Sequence, residues 1–220
     1  MQTQARYDEF AGWYEQWIGD GPPLLAAHAG LLPVVTGDRV LDIACGQGGM
    51  SRYLASLGAE VAGIDISAVM LSKARAAGPE TITYIHADIT GQPAWWDGRP
   101  FDGCTCELAL MDIDDLAGAL STVTMVLRPG GWFAASIVHP CFPGGERGRS
   151  SWPPGQGYES EGWWTSPDHN PEGIRIRVGA THRKLSTVLN ALLDAGLEAE
   201  RFVEPPAPVP TYLLWLCRRP

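Results

Sequence analysis

Basic residues are scarce. Lysine and arginine number 16 against 25 aspartates and glutamates, for a net charge of −9. No basic run offers a face that would neutralise a phosphate backbone, so nucleic acid is not an expected partner. Long apolar runs are missing too. None approaches the ~18 to 20 residues of a membrane span, and the first residues lack the apolar stretch of a secretory leader. Cysteine is limited to five, an odd number scattered through apolar stretches, which suits reduced thiols rather than a disulfide framework. Together these absences set the expectation of a soluble cytoplasmic protein with no membrane partner, a monomer or homodimer. There is no internal repeat.

Apolar residues make up 45% of the 220 positions, enough for the core of one large domain. The most informative stretch is Arg39-Val-Leu-Asp-Ile-Ala-Cys-Gly-Gln-Gly-Gly-Met50. Residues 40–43 form a short apolar run rich in β-branched side chains and closed by glycines, which reads as a buried strand feeding a tight turn. Gly46, Gly48 and Gly49 remove side chains where backbone would approach a ligand, and residues 50–57 have helical spacing. A second strand at 60–64 ends in Asp65. An acid ~20 residues beyond a glycine turn is placed in a βαβ unit to accept both hydroxyls of a ribose. The plainer reading of the same residues is a structural turn with a surface acid.

Asp42-Ile-Ala-Cys-Gly-Gln-Gly48 resembles the glycine-rich first motif of class I S-adenosylmethionine-dependent methyltransferases, acid-x-Gly-x-Gly-x-Gly, with Ala44 standing where the first glycine would be. A dinucleotide fingerprint would instead want a glycine at position 51, which is Ser51, and no acid such as Asp42 at the strand end. An NAD-dependent oxidoreductase and a catalytically silent S-adenosylmethionine-binding subunit are the rival readings. The resemblance implies an α/β fold, a Rossmann-like, seven-stranded, mostly parallel sheet with helices on both faces. It also implies S-adenosyl-L-methionine as cofactor, S-adenosyl-L-homocysteine as product, and no metal. On that pattern the cofactor contacts are Tyr14, Asp42, Ala44, Gly46, Gly48, Asp65, Ile66, Asp88, Ile89 and Glu107.

The remaining stretches fit the same order. Residues 6–18 carry Tyr7, Phe10, Ala11, Tyr14, Trp17 and Ile18 on one helical stripe. In the enzymes it resembles, such a helix closes over the cofactor, where Tyr14 would face the sulfonium; otherwise Tyr14 packs the helix. Ser67 is placed as N-cap of a helix over 68–77. A third strand at 81–86 leads to Asp88 and Ile89, the adenine position by resemblance. A fourth strand at 101–108 carries Glu107 to the edge where the transferable methyl lies in such folds, as a base, an ammonium partner or a solvated acid. Asp112 to Asp115 read as the first turn of a helix. Leu127-Arg-Pro-Gly-Gly131 is the turn before a fifth strand at 132–138, which delivers His139 to the same edge. His139, Tyr14 and Glu107 are therefore the candidate catalytic residues.

From 143 to 170 the pattern gives way to glycine, proline and tryptophan, and residues 174–178 alternate like an exposed strand of a small antiparallel cap. The chain divides into a helical cap (1–32), a cofactor-binding core (33–140), a substrate lid (141–180) and a segment completing the core (181–220). Phe142, Trp152, Tyr158, Trp163, Trp164, His182 and Arg183 are the candidate substrate contacts, and the aromatics among them either stack on a flat acceptor or pack on one another. Residues 181–184 open a helix ended by Gly196, and strands at 197–203 and 212–217 close the sheet. The reading is methylation of a small molecule of secondary metabolism, aromatic or heteroaromatic, at nitrogen, oxygen or an indole-type carbon.

Overall fold

The computed structural model describes residues 5–18, 24–142, 157–165 and 174–220. Five strands, β1 (Arg39–Ile43), β2 (Glu60–Asp65), β3 (Thr83–His86), β4 (Phe101–Glu107) and β5 (Leu127–Val138), pair in parallel. A short antiparallel pair, β6 (Gly162–Trp164) and β7 (Ala180–His182), stands apart from them. The last strands, β8 (Glu198–Val203) and β9 (Tyr212–Arg218), complete a seven-stranded sheet in the order β3-β2-β1-β4-β5-β9-β8, with β9 antiparallel to both neighbours. The α/β expectation holds. Strand order reverses between β1 and β4, so their C-terminal ends open the crevice where ligands bind in such sheets.

Helices α3 (Gly49–Ser56), α4 (Ala68–Ala77), α5 (Leu116–Val126) and α7 (Leu185–Asp194) flank the sheet, while α1 (Ala11–Ile18) and the short helices α2 (Leu25–Ala29) and α6 (Ile174–Val178) lie toward its ligand-binding edge. The core is two-sided. Leu41, Ile43, Phe133, Ala135 and Trp215 join Leu120 of α5 and Leu192 of α7 on one face. Val40, Trp132, Ala134 and Leu214 join Met50 and Leu54 of α3 on the other. Burial on both faces is why the apolar parts of these strands are unbroken rather than alternating. α2 seats His28 completely out of solvent, with its Nε2 3.1 Å from Ser136 Oγ.

Three local expectations are corrected. Residues 174–178 form α6, not a strand; the antiparallel cap exists, but its strands are β6 and β7. The Arg175/Arg177 alternation misleads because helical winding lets Arg175 turn inward to an acid. Residues 181–184 do not begin the helix: Thr181 and His182 belong to β7, and α7 starts at Leu185, whose amide donates to the Tyr158 hydroxyl at 2.9 Å. Arg128 to Gly131 fall within β5 as a bulge, since the pairing jumps from Phe101↔Leu127 to Gly103↔Trp132. Ser67 caps α4 as expected, its Oγ accepting from the Met70 amide at 3.0 Å.

Gly103 owes its identity to its partner across the sheet. A Cβ built there would lie 2.0 Å from Cε2 of Trp132, so the indole lies over the bare glycine backbone. Gly103→Ala should therefore cost ~1 to 3 kcal/mol in denaturant unfolding, the scale of an overpacked core. Gly91→Ala, where a Cβ meets nothing within 4 Å, should stay within about 0.5 kcal/mol of the parent. Equal stabilities for the two variants would refute the packing argument.

Candidate cofactor and acceptor site

Over the crevice lies a cavity of about 860 Å³, part of it open to solvent. β1 and its turn supply Ala44 and Gly46, and β2 ends in Asp65 and Ile66. Asp88 and Ile89 follow β3, Glu107 and Leu108 close β4, and Tyr7 and Tyr14 roof it from the N-terminal segment. Eight of the ten expected cofactor contacts thus line one cavity. Asp42 and Gly48 do not, and the structure gives each another task.

Asp42 is 1% exposed beneath the turn. Ser51 Oγ donates to it at 2.6 Å and Thr105 Oγ1 at 3.0 Å, so it pins α3 and β4 to β1. Burial pushes its carboxyl up to about 6 against the pull of those hydroxyls. Gly48 has φ +80°, and a Cβ there would meet the Tyr84 hydroxyl at 2.3 Å. Gly46, at φ +54°, has open space where a side chain would stand, leaving its backbone approachable from the cavity. Ala44 takes the left-handed conformation at φ 52°, a geometry suited to the glycine it replaces.

Asp65 holds the two turns in register. Its Oδ2 accepts from the Gly46 amide and its Oδ1 from the Ser67 amide, both at 2.8 Å. Burial raises its carboxyl above the ordinary range while the two amides work against the shift. Asp88 Oδ1 accepts from the amide and hydroxyl of Thr90, each at 2.8 Å, which fixes the loop after β3. Glu107 Oε1 accepts from the Leu24 amide at 2.9 Å, and burial pushes its carboxyl up to about 7. Tyr14 is raised above its ordinary value by burial and then by the charge of Asp112, so at neutral pH its hydroxyl keeps its proton. It is suited to donate a hydrogen bond rather than to remove a proton. The recess fits a nucleoside-like cofactor: an approachable backbone at Gly46, a carboxylate one turn away and apolar Ile66 and Ile89 between polar ends.

Sequence reading missed the roof's anchor. Asp112 lines the cavity, accepts from the Tyr7 hydroxyl at 2.8 Å and pairs with Arg175 Nη1 at 2.5 Å. Arg6 adds bonds to the Asp112 carbonyl at 3.2 Å and to both carboxylate oxygens of Asp114 at 2.8 Å. The expectation that Asp112 to Asp115 form the first turn of a helix is corrected here, since α5 starts at Leu116 with Asp115 as its N-cap, accepting from the Gly118 amide at 2.8 Å; with Arg175 in an apparent strand, nothing in the sequence paired it with Asp112. Leu108, a non-glycine residue at φ 50°, also lines the cavity. Its left-handed backbone has no sequence signature.

A second cavity, about 700 Å³ and also partly open, lies between β5, β9, α5, α7 and the β6/β7 pair. Here the structure places His139, Trp164, His182 and Arg183, apart from Glu107 and Tyr14. His139 is 3% exposed. Its Nδ1 accepts from the Cys141 amide at 3.1 Å, which leaves the proton on Nε2, donated to Glu204 Oε1 at 2.8 Å. Arg183 donates to the carbonyls of Leu110, Ile113 and Asp114 at 3.0, 2.6 and 2.8 Å. His182 Nε2 bonds the Tyr158 carbonyl at 2.9 Å. Tyr158 caps α7 and lines neither cavity, nor does Phe142, whose ring lies tilted against that of His139 at 5.0 Å. Trp163 is 53% exposed under the Arg6 guanidinium. Trp152 lies outside the described residues.

Comparison with known proteins bears on this arrangement. The family described as methyltransferase domain matches residues 41–135, from β1 into β5. A crystal structure of an S-adenosylmethionine-dependent methyltransferase from Mesorhizobium loti superposes with a TM-score of 0.74 and is 33% identical, over 91% of this chain and 99% of that one. A demethylmenaquinone methyltransferase of Clavibacter sepedonicus is 32% identical over 59% of this chain and 55% of its own length. A malonyl-[acyl-carrier protein] O-methyltransferase of Salmonella typhimurium is 38% identical over 61% and 52% respectively. The chain thus spans about half the length of these curated relatives. Likeness extending end to end over a structurally characterised relative, together with the glycine turn and acids that the fold gathers at one sheet edge, establishes that this chain belongs to the class I S-adenosylmethionine-dependent methyltransferases.

Proposed function

We propose that this protein transfers a methyl group from S-adenosylmethionine to a small molecule with an aromatic or heteroaromatic body, at nitrogen, oxygen or an indole-type carbon. The observation that carries the reading is the single cavity that collects Gly46, Asp65, Asp88, Tyr14 and Glu107 from five separate stretches of chain. S-adenosylmethionine, when bound, supplies an electrophilic methyl on a cationic sulfur. Asp65 would hold the ribose, Asp88 and Ile89 the adenine, and Tyr14 and Glu107 the methionine end. Tyr7, Tyr14 and Arg6 roof part of the recess and would limit water around the bound groups, so that alignment of the reacting groups carries most of the acceleration. Glu107, with a carboxyl near neutrality, is the group best matched to take a proton from an O–H or N–H acceptor.

The division into cap, core, lid and closing segment is part of the same proposal. No described residue between 141 and 180 lines the first cavity, while Trp164, Arg175 and Ala180 line the second, which supports a lid that governs the acceptor rather than the cofactor. The relatives named for demethylmenaquinone and for malonyl-[acyl-carrier protein] differ in acceptor, so their names do not choose one for this chain.

Two measurements test the reading. Asp65→Ala should weaken S-adenosylmethionine binding by ~1.5 to 3 kcal/mol, the scale of hydrogen bonds to a charged group. Calorimetry on a cooperatively folding variant that returned the parental affinity would remove Asp65 from the site. Glu107 gives a pH signature. Its carboxyl rises from 4.5 to about 7 on folding, so its stabilising contribution is full below pH 4.5, fades as pH rises through about 7, and is flat beyond. Over that window roughly 1 to 3 kcal/mol of stability should be lost. Glu107→Gln should abolish the part of the decline above pH about 6 and leave the Asp42 share below it. An unchanged profile would show that Glu107 is not buried as described.

A further inference from the structure

His28 and Ser136 are both completely out of solvent, and the cofactor reading gives neither a task. Their side chains meet at 3.1 Å, Nε2 to Oγ. Burial pushes the imidazole down to about 4, so the ring is neutral at pH 7. Its Nδ1 has no hydrogen-bond partner among the described residues. An apolar side chain at position 28 could join the cluster that already holds Leu24, Ala27 and Leu31, without leaving a buried polar atom unpaired. The histidine therefore needs a reason outside packing, and its bond to Ser136 supplies one.

Ser136 is the register partner of Glu107 across the parallel pair of β4 and β5, so the two side chains leave the same face of the sheet. Leu24 and His28 stand one helical turn apart, joined by the bond from the His28 amide to the Leu24 carbonyl at 2.9 Å. A turn of helix rises ~5.4 Å and neighbouring strands lie ~4.8 Å apart, so one turn can grip two strands at once. It does so here: the Leu24 amide donates to Glu107 Oε1 at 2.9 Å, while His28 meets Ser136. Ser136 in turn accepts from the Leu108 amide, on Oγ at 3.0 Å and on its carbonyl at 3.1 Å, and so holds that residue at φ 50°. Glu107 and Leu108 both line the first cavity. Five residues make a helix with little stability of its own, so α2 depends on these anchors for its seat.

We propose that His28 is a positioning residue: by locking Ser136 it clamps α2 across β4 and β5, and thereby fixes the Glu107 carboxylate and the Leu108 backbone at the cofactor cavity. The task given to Glu107 rests on the methyl-transfer reading, but the clamp itself does not.

Carbon-13 titration of the glutamate carboxyls in the ligand-free protein reads the clamp directly. Glu107, identified as the resonance lost in Glu107→Gln, should titrate near 7 in the parent. Burial is the largest cause of that rise, so His28→Leu and Ser136→Ala, which loosen α2, should each move it at least about one pH unit toward 4.5. His28→Gln, whose amide can reach Ser136, should keep it near 7. A role limited to stability would leave the titration in place in every folded variant. Calorimetry at pH 7 reads the ligand side. His28→Leu should weaken S-adenosylhomocysteine at least ~3-fold and change 5′-methylthioadenosine, which lacks the amino-acid end, less than about twofold. Should His28→Leu fail to fold, Ser136→Ala carries the same two measurements. An unmoved titration in the folded variants, or equal changes in the two affinities, would overturn the proposal. Failure of the parent to bind S-adenosylhomocysteine would instead defeat the methyl-transfer reading, and the carbon-13 titration would still decide the clamp.

Discussion

The carboxylate of Asp112 is the point on which the functional half of the structure converges. Tyr7 brings the N-terminal segment to it, Arg175 brings α6, and the loop after β4 carries it between the two cavities. The pair is part-buried, with side chains 19% and 14% exposed, so losing one partner leaves the other charge poorly compensated even where the intact pair contributes little. Roof and partition are therefore tied through one shared carboxylate. Around it sit weaker clasps: Arg177 over the Trp13 ring at 4.4 Å and Arg6 over Trp163 at 5.7 Å. Such contacts are worth about 1 kcal/mol each at partly exposed sites, so they add to the anchoring of the roof but do not define it.

The parts of the fold that were legible from sequence are those written in short-range chemistry. The glycine turn, the acid ending β2, the Ser67 cap and the apolar strands each follow from backbone conformation or burial within a few residues, and each stands where expected. What was not legible depends on meetings over long separations. Residues 174–178 read as a strand by their alternation, and the bond from Arg175 to an acid 63 positions away shows what their helical winding secures. His139 was read from its position at a strand end, but where its ring points is settled by Cys141 and Glu204, which no periodicity reveals. Asp42 carries the motif's acid yet serves the scaffold, because two hydroxyls from α3 and β4 claim it first.

Two backbone positions show how the site tolerates departure from the pattern it resembles. Ala44 and Leu108 both adopt left-handed φ without being glycine, at the ends of β1 and β4 where the crevice opens. Each costs of order 1 to 2 kcal/mol. Leu108 is held there by its amide, which donates to both the carbonyl and the hydroxyl of Ser136. Strain gathered at a ligand-binding edge and restrained by the adjacent strand is a common arrangement at functional sites.

The seating of Trp132 over Gly103 bears on how this sequence can change over evolutionary time. A side chain gained at position 103 collides with the indole, whereas an indole lost at position 132 first leaves a void in a core that contains little free space. Either single step lowers stability, and only the double exchange restores it, so the two positions are coupled rather than additive. Drift at this pair should be slow for a reason unconnected with catalysis. Homologous chains should separate into lineages that keep glycine opposite a large ring and lineages that have exchanged both, with few holding one change alone.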